Sequence, residues 1–145
     1  MSISKQLFFA LLLSFSLLGC KKETIQESPT CGCDSEPVRV IDSNQPLIGE
    51  MYYLKEGEYR SYFTNHFWIA FTYPECGNCK DGFILCDSDF LADHFQDLYD
   101  LPETDPILVE FSGDVMTPCI FPTAWVSDIS FYRLNNYQIK RIDSN

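Results

Sequence analysis

A chain of 145 residues has the length of one small domain. Apolar residues make up 46% of the sequence and charged residues 21%, a composition that excludes a fibrous chain and one that is disordered throughout. Acidic residues number 21 against 10 Lys and Arg, which gives a net charge of −11. A surface this negative repels phosphate backbones, so we predict no nucleic-acid partner.

The N-terminus carries a short apolar leader. Lys5 precedes an apolar run of 12 residues, Leu7 to Leu18, that is broken only by two serines. A run of this length is too short to span a bilayer and is typical of a secretion signal. It ends in Leu17-Leu18-Gly19-Cys20, which resembles the lipobox of bacterial lipoproteins. In that family the cysteine thiol is acylated, the leader is cut just before it, and the new N-terminus is acylated too.

This resemblance implies that residues 1–19 are a removable signal peptide and that Cys20 becomes a lipidated first residue. Residues 20–37 are polar without periodicity and are predicted to form a flexible stalk. Lys21 and Lys22 depart from the acidic sorting signals of such proteins, which favours the periplasmic face of the outer membrane. The alternatives are an ordinary signal peptide followed by an unrelated cysteine, and a stalk whose sequence contains no sorting signal.

Three short runs typical of β-strands follow residue 38. They are Leu47 to Leu54, His66 to Tyr73, and Phe83 to Cys86. Alternation places three side chains of the first run on one face, namely Ile48, Tyr52 and Leu54. Gly49 marks a bulge or a sharp bend in that run. In the second run, alternation predicts a buried face made of Phe67, Ile69 and Phe71.

The apolar period then changes from two to 3.6 between Ser88 and Leu101. Five side chains in this segment fall on one helical stripe, namely Phe90, Leu91, Phe95, Leu98 and Tyr99. Asp87 or Ser88 can cap the start of a helix, and Pro102 marks its end. The sequence therefore predicts one α-helix here.

Three further runs predict strands after the helix. They are Ile107 to Phe111, Val126 to Tyr132, and Tyr137 to Ile142. Asn135-Asn136 predicts a tight hairpin turn between the last two, because Asn tolerates a positive φ. The order of three strands, one helix, and two or three strands resembles the OB-fold, a small Greek-key barrel. That resemblance implies a mainly β domain over residues 38–145, with order β-β-β-α-β-β and one extra strand. A plain antiparallel sheet with one packed helix is the competing architecture.

The layout of the chain also resembles that of small lipoproteins of Gram-negative bacteria. Four pieces carry the resemblance, namely Cys31-Gly32-Cys33, Cys76-Gly77-Asn78-Cys79, Phe83-Ile84-Leu85-Cys86 and Val109-Glu110-Phe111-Ser112-Gly113. It implies a fold and a location in the cell envelope, and it brings no known activity with it.

Six cysteines remain besides Cys20. They are Cys31, Cys33, Cys76, Cys79, Cys86 and Cys119. In an exported protein an even number predicts up to three disulfides. A bridge that closes a long loop stabilises by roughly 4 kcal/mol, against roughly 2 kcal/mol for a four-residue loop. We therefore expect a link between the Cys31/Cys33 segment and the Cys76/Cys79 segment.

Two other roles for these cysteines remain open. Cys76 and Cys79 have the Cys-x-x-Cys spacing of thiol-disulfide exchange proteins. In those proteins a helix N-terminus stabilises the thiolate, but here the next predicted strand begins too soon after Cys79 to leave room for a helix. Zinc bound by both cysteine segments needs thiolates that survive an oxidising compartment. The sequence thus predicts no metal and no cofactor.

No catalytic motif accompanies the two histidines, His66 and His94, so we predict a protein that is not an enzyme. Six aromatic residues are candidates for a contact surface, namely Tyr52, Tyr53, Tyr59, Tyr62, Phe63 and Trp68. Aromatic residues at strand spacing are more often core, so the favoured binding surface is Tyr59, Tyr62 and Phe63, which lie between strands. The 75–114 segment holds most of the acidic residues, which predicts either a solvated face or a face that docks a basic partner. The spacing of Asp87 and Asp89 does not match the ligand pattern of a calcium-binding loop. The expected function is an envelope-anchored module that binds an envelope protein or a glycan. The alternative is a thiol-active or metal-binding protein built on Cys76 and Cys79.

Overall fold

The computed structural model describes residues 29–55, 64–101, 105–120 and 129–143. Six β-strands run through these ranges, namely β1 Arg39–Ile41, β2 Leu47–Leu54, β3 His66–Thr72, β4 Lys80–Leu85, β5 Ile107–Met116 and β6 Ile129–Arg141. Two short 3₁₀ helices, Ser88–Leu91 and Gln96–Tyr99, connect β4 to β5. The predicted signal peptide and Cys20 lie outside the described residues.

Five of the strands close into a barrel. β2 pairs with β3, β3 with β4, β4 with β6, β6 with β5, and β5 returns to β2. The β4–β6 pair is parallel and the other pairs are antiparallel. β1 adds to β5 beside β2 as an extra strand. The prediction of a small, mainly β barrel is confirmed, and the closure rules out a plain open antiparallel sheet.

Inward-facing side chains of the five barrel strands fill the core. The predicted buried face of β3 is confirmed, because Phe67, Ile69 and Phe71 all lie in the core. The predicted face of β2 is the outer one, since Ile48 is 56% exposed while Met51 of the same strand is buried. Alternation identified the two faces of β2, but which of them is inside depends on the neighbouring strands.

Gly49 allows two strands to approach closely, and the register of β2 continues through it without a bulge. A Cβ atom on Gly49 would lie 2.6 Å from Ile69 Cγ2 and 2.9 Å from the Ala70 carbonyl oxygen of β3. Of the two predicted alternatives for Gly49, the bulge is wrong. The residue is glycine because a Cβ atom would collide with β3.

The predicted α-helix over residues 88–101 is wrong. The segment forms two 3₁₀ helices, and Phe95, with φ −128°, interrupts them. Asp87 adopts a left-handed conformation with φ 44° and makes no capping hydrogen bond through its side chain. Aspartates at 89, 93 and 97 would stand one turn apart on a single α-helix, where like charges repel. The broken path still buries Leu91, Phe95 and Leu98 but leaves Phe90 58% exposed.

The predicted hairpin at Asn135-Asn136 is also wrong, because residues 129–141 form one strand of 13 residues. Asn136 does adopt a positive φ of 46°. It sits in a β-bulge, since Asn135 pairs with Asp114 and Gln138 pairs with Ser112. Two residues of β6 thus face the single Gly113 of β5. β5 itself extends five residues beyond the predicted end at Phe111, to Met116.

Candidate binding face and disulfide framework

The six cysteines of the described residues form three disulfides, as their even number predicts. The pairs are Cys31–Cys119, Cys33–Cys86 and Cys76–Cys79. The predicted link between the Cys31/Cys33 and Cys76/Cys79 segments is wrong. The turn after β3 brings the Cα atoms of Cys76 and Cys79 to 5.3 Å, so these two pair locally.

Two long-range disulfides fasten the end of the predicted stalk to the barrel. Cys31 is joined across 88 residues and Cys33 across 53 residues. Hydrogen bonds reinforce them, because Gly32 N donates to the Thr117 carbonyl oxygen at 2.8 Å and Asn135 Nδ2 donates to the Cys33 carbonyl oxygen at 2.9 Å. Residues 31–33 are therefore held against the barrel where the β5 chain ends.

Cys76 and Cys79 staple the hairpin between β3 and β4. The Cys79 backbone N–H donates to the Cys76 carbonyl oxygen at 2.9 Å, and Cys79 is exposed. β4 begins at Lys80, directly after the disulfide, so this pair has no helix behind it to stabilise a thiolate. The zinc arrangement is contradicted, because Cys31 and Cys33 bond to Cys119 and Cys86 instead.

A buried carboxylate closes one end of the barrel. Asp81, whose side chain is 6% exposed, accepts hydrogen bonds from Arg39 Nη2 at 2.8 Å and from the Tyr73 hydroxyl at 2.7 Å. Arg39 also lies over the rings of Phe83 and Tyr132, 5.7 and 5.4 Å from their centroids. Burial, followed by the hydrogen bond to Asp81, raises the pKa of Tyr73. Arg39, Tyr73 and Asp81 bond to one another, so the group joins β1 to β4.

The outer surface of the barrel carries a row of side chains across four strands. Tyr52 of β2 is paired with Trp68 of β3. Trp68 is in turn paired with Ile84 of β4, and Ile84 with Arg133 of β6. The rings of Tyr52 and Trp68 stack, with centroids 4.7 Å apart and an interplanar angle of 17°. Direct cross-strand pairing thus places two large rings side by side.

Phe131 completes this surface. Its ring lies over Gly82, where two ring atoms are 2.8 and 2.9 Å from the position that a Cβ would occupy. Ile84 has no exposed surface, although it points outward, because Trp68 and Phe131 pack against it. We call Tyr52, Trp68, Ile84 and Phe131 the aromatic face. Its members are held by one another, so it is a preformed apolar platform.

Polar groups of opposite charge border the aromatic face. The Tyr52 hydroxyl donates to Glu50 Oε2 at 2.8 Å, and burial, followed by this bond, raises the pKa of Tyr52. Arg133 lies at the other end of the row. Burial, and then the positive charge of Arg133, lower the pKa of the nearby His66. The platform therefore has an acceptor at one end and a donor at the other.

Tyr52 and Trp68 were among the predicted contact residues, but residues between the strands were favoured, and Ile84 and Phe131 were missed. The predicted binding residues Tyr59, Tyr62 and Phe63 lie outside the described residues, as does the lipidation residue Cys20. The available signal was an aromatic residue at an outward position in each of two adjacent strands, Tyr52 and Trp68. His94 lies exposed in the turn between the two 3₁₀ helices.

In the described parts of the chain, no three His, Cys, Asp or Glu side chains are grouped so that they could hold a metal ion. Within the same ranges, none of the helices has the length and the apolar character that a membrane crossing requires. No family model matches the chain, and no curated protein is significantly similar to it.

Proposed function

We propose that this protein is a lipid-anchored component of the bacterial cell envelope, held on the periplasmic face of the outer membrane, that binds a glycan and is not an enzyme. The aromatic face is the observation that carries the binding role. The location is proposed from the Leu17-Leu18-Gly19-Cys20 sequence, and three disulfides are in keeping with an oxidising compartment.

We further propose that the domain is an OB-type barrel. Three features support this assignment. Five strands close into a ring, and the one parallel pair among the described strands joins β4 to β6. The two 3₁₀ helices occupy the connection where that fold has its helix. β1 and β2 would then be two halves of one bent first strand, since both pair with the same edge of β5. OB-type barrels bind oligonucleotides or oligosaccharides on an outer strand face.

The chemistry of the aromatic face favours a glycan over a nucleic acid. The apolar C–H faces of a sugar ring pack on aromatic side chains, and its hydroxyls need donors and acceptors nearby. Glu50 and Arg133 provide these at the two ends of the row. A net charge of −11 opposes a phosphate backbone but has no effect on a neutral sugar.

The binding role can be tested by calorimetry with a tetramer of N-acetylglucosamine as the probe. We expect Trp68→Ala or Phe131→Ala to weaken binding at least tenfold, which corresponds to about 1.4 kcal/mol of lost contact. Phe90→Ala is the matched control, because Phe90 is an exposed aromatic residue elsewhere on the surface. Equal binding by all three variants, or tighter binding of single-stranded DNA than of the sugar, would contradict the proposal.

The location can be tested in cells. We expect the purified protein to begin at an acylated Cys20 and to fractionate with the outer membrane, because several acyl chains hold a protein firmly on a bilayer. Cys20→Ser should abolish acylation and release the protein from the membrane, whereas Ser16→Ala should change neither. Recovery of the intact, unacylated 145-residue chain from wild-type cells would disprove lipidation.

A further inference from the structure

A concave groove of about 500 Å³ lies beside the β-bulge. It is bounded by the end of β1 and the following turn on one side and by β6 on the other, with β5 as its floor. The residues that shape its chemistry are Val40, Asp42, Ser112, Asp114, Asn136 and Gln138. The bulge lies at this floor, where Gly113 is one of the lining residues. A volume of this size suits a small ligand.

Ser112 provides a hydroxyl group that a ligand in the groove could bind. Its residue is only 4% exposed, and it lines the groove. Among the described residues, its hydroxyl has no hydrogen-bond partner. The hydroxyl is reached from the groove and not sealed in the core, so water or a ligand can complete its hydrogen bonding. The hydroxyl is therefore available to a molecule that enters the groove.

The charge of the groove selects the class of ligand. Two carboxylates, Asp42 and Asp114, line it, and none of the described lining residues is basic. Among the described residues, only one oxygen of each carboxylate has a hydrogen-bond partner, since Asp42 Oδ1 accepts from Asn44 and Asp114 Oδ2 accepts from Asn136 Nδ2 at 2.8 Å. The other two oxygens remain for a ligand that carries donors and positive charge.

We propose that this groove binds an alkylammonium group. The ammonium has three donors for the carboxylates and the Ser112 hydroxyl, and its methylenes lie against Val40, which is 63% exposed. The same group is found on a free diamine and on the lysine side chain of a partner. The site is built from β1, β5 and β6 and does not depend on glycan binding at the aromatic face.

The test is calorimetric titration of the purified full-length protein at pH 7 and low salt. The two probes are 1,5-diaminopentane and Nα-acetyl-lysine amide, with glucose as a neutral control. We expect saturable binding of an amine and none of glucose. Tighter binding of the diamine would identify a free amine as the source, and tighter binding of the lysine derivative would identify a partner's side chain.

Three variants locate the binding. Asp42→Asn and Asp114→Asn should each weaken amine binding about tenfold, and Ser112→Ala by a few-fold, because each removes one partner of the ammonium. Glu75→Gln is the matched control, since it removes the same charge from an exposed position outside the groove. Asp42 is exposed, so Asp42→Asn still tests the site if the change at the buried Ser112 disturbs folding. Equal loss in all four variants, or binding of glucose alone, would overturn the proposal.

Discussion

Replacement of both Cys33 and Cys86 by alanine is expected to lower the free energy of unfolding by about 4 kcal/mol. The bond joins residues separated by 53 positions and closes a long loop in the unfolded chain. Without the bond the unfolded chain has more conformational entropy, which lowers the stability of the folded state. Alanine is the appropriate replacement because Cys86 is only 2% exposed, and a serine hydroxyl there would be buried. Urea unfolding followed by circular dichroism measures the change.

The local disulfide provides the matched control. Cys76→Ala with Cys79→Ala removes a bond across a separation of three residues, and we expect a loss of about 2 kcal/mol. If the two double variants lose equal stability, loop closure does not govern the contribution of these bonds. If non-reducing peptide mapping finds Cys33 bonded to any cysteine other than Cys86, the framework itself is wrong.

Local sequence patterns were sufficient to predict several strands. Alternating apolar residues located β2 at its observed bounds and β3 to within one residue, because burial of one face imposes a period of two. The helical pattern of residues 88–101 was misleading. Leu91, Phe95 and Leu98 have the spacing of a helix and are buried, but two 3₁₀ turns bury the same residues. Apolar spacing alone does not distinguish the two.

Partners that are distant in sequence could not be predicted. Six cysteines allow 15 pairings, and the observed one depends on which strand ends meet in the barrel. Asp81 could have been noted as a charged residue at an inward position of β4, which requires a buried partner. Its partner Arg39 lies 42 residues away and is identified only by the pairing of β1. The aromatic face depends in the same way on the register between β2, β3 and β4.

The bulge in β5 and β6 connects the incorrect hairpin prediction to the proposed amine site. The predicted turn relied on the tolerance of Asn135-Asn136 for a positive φ, and of the two residues Asn136 adopts one, at 46°. Its context differs, because β5 extends past Phe111 and keeps β6 paired on both sides of the bulge. The residue that was predicted to form a turn instead forms a bulge, and this bulge lies beside the groove that Ser112 and Asp114 line.

Gly113→Ala is expected to lower the free energy of unfolding by about 3 kcal/mol. Gly113 has a φ of +150°, a conformation that L side chains rarely adopt. A Cβ atom would also lie 2.8 Å from the Asn135 carbonyl oxygen and 2.9 Å from Tyr137 Cα. Both are backbone atoms of β6, so they can move only if the pairing across the bulge changes. Thermal and urea unfolding measure the loss.

Gly77→Ala separates this effect from a general response to glycine replacement. Gly77 lies in the turn between β3 and β4, and a Cβ atom there would meet no heavy atom within 4 Å. We expect Gly77→Ala to change the free energy of unfolding by less than about 0.5 kcal/mol. A Cβ atom on Gly113 would press on the β6 backbone on both sides of Asn136, which lines the groove. Gly113→Ala should therefore also weaken binding of 1,5-diaminopentane, whereas Gly77→Ala should not. Equal stability of the two variants would mean that the bulge relaxes around a side chain, and it would contradict the prediction.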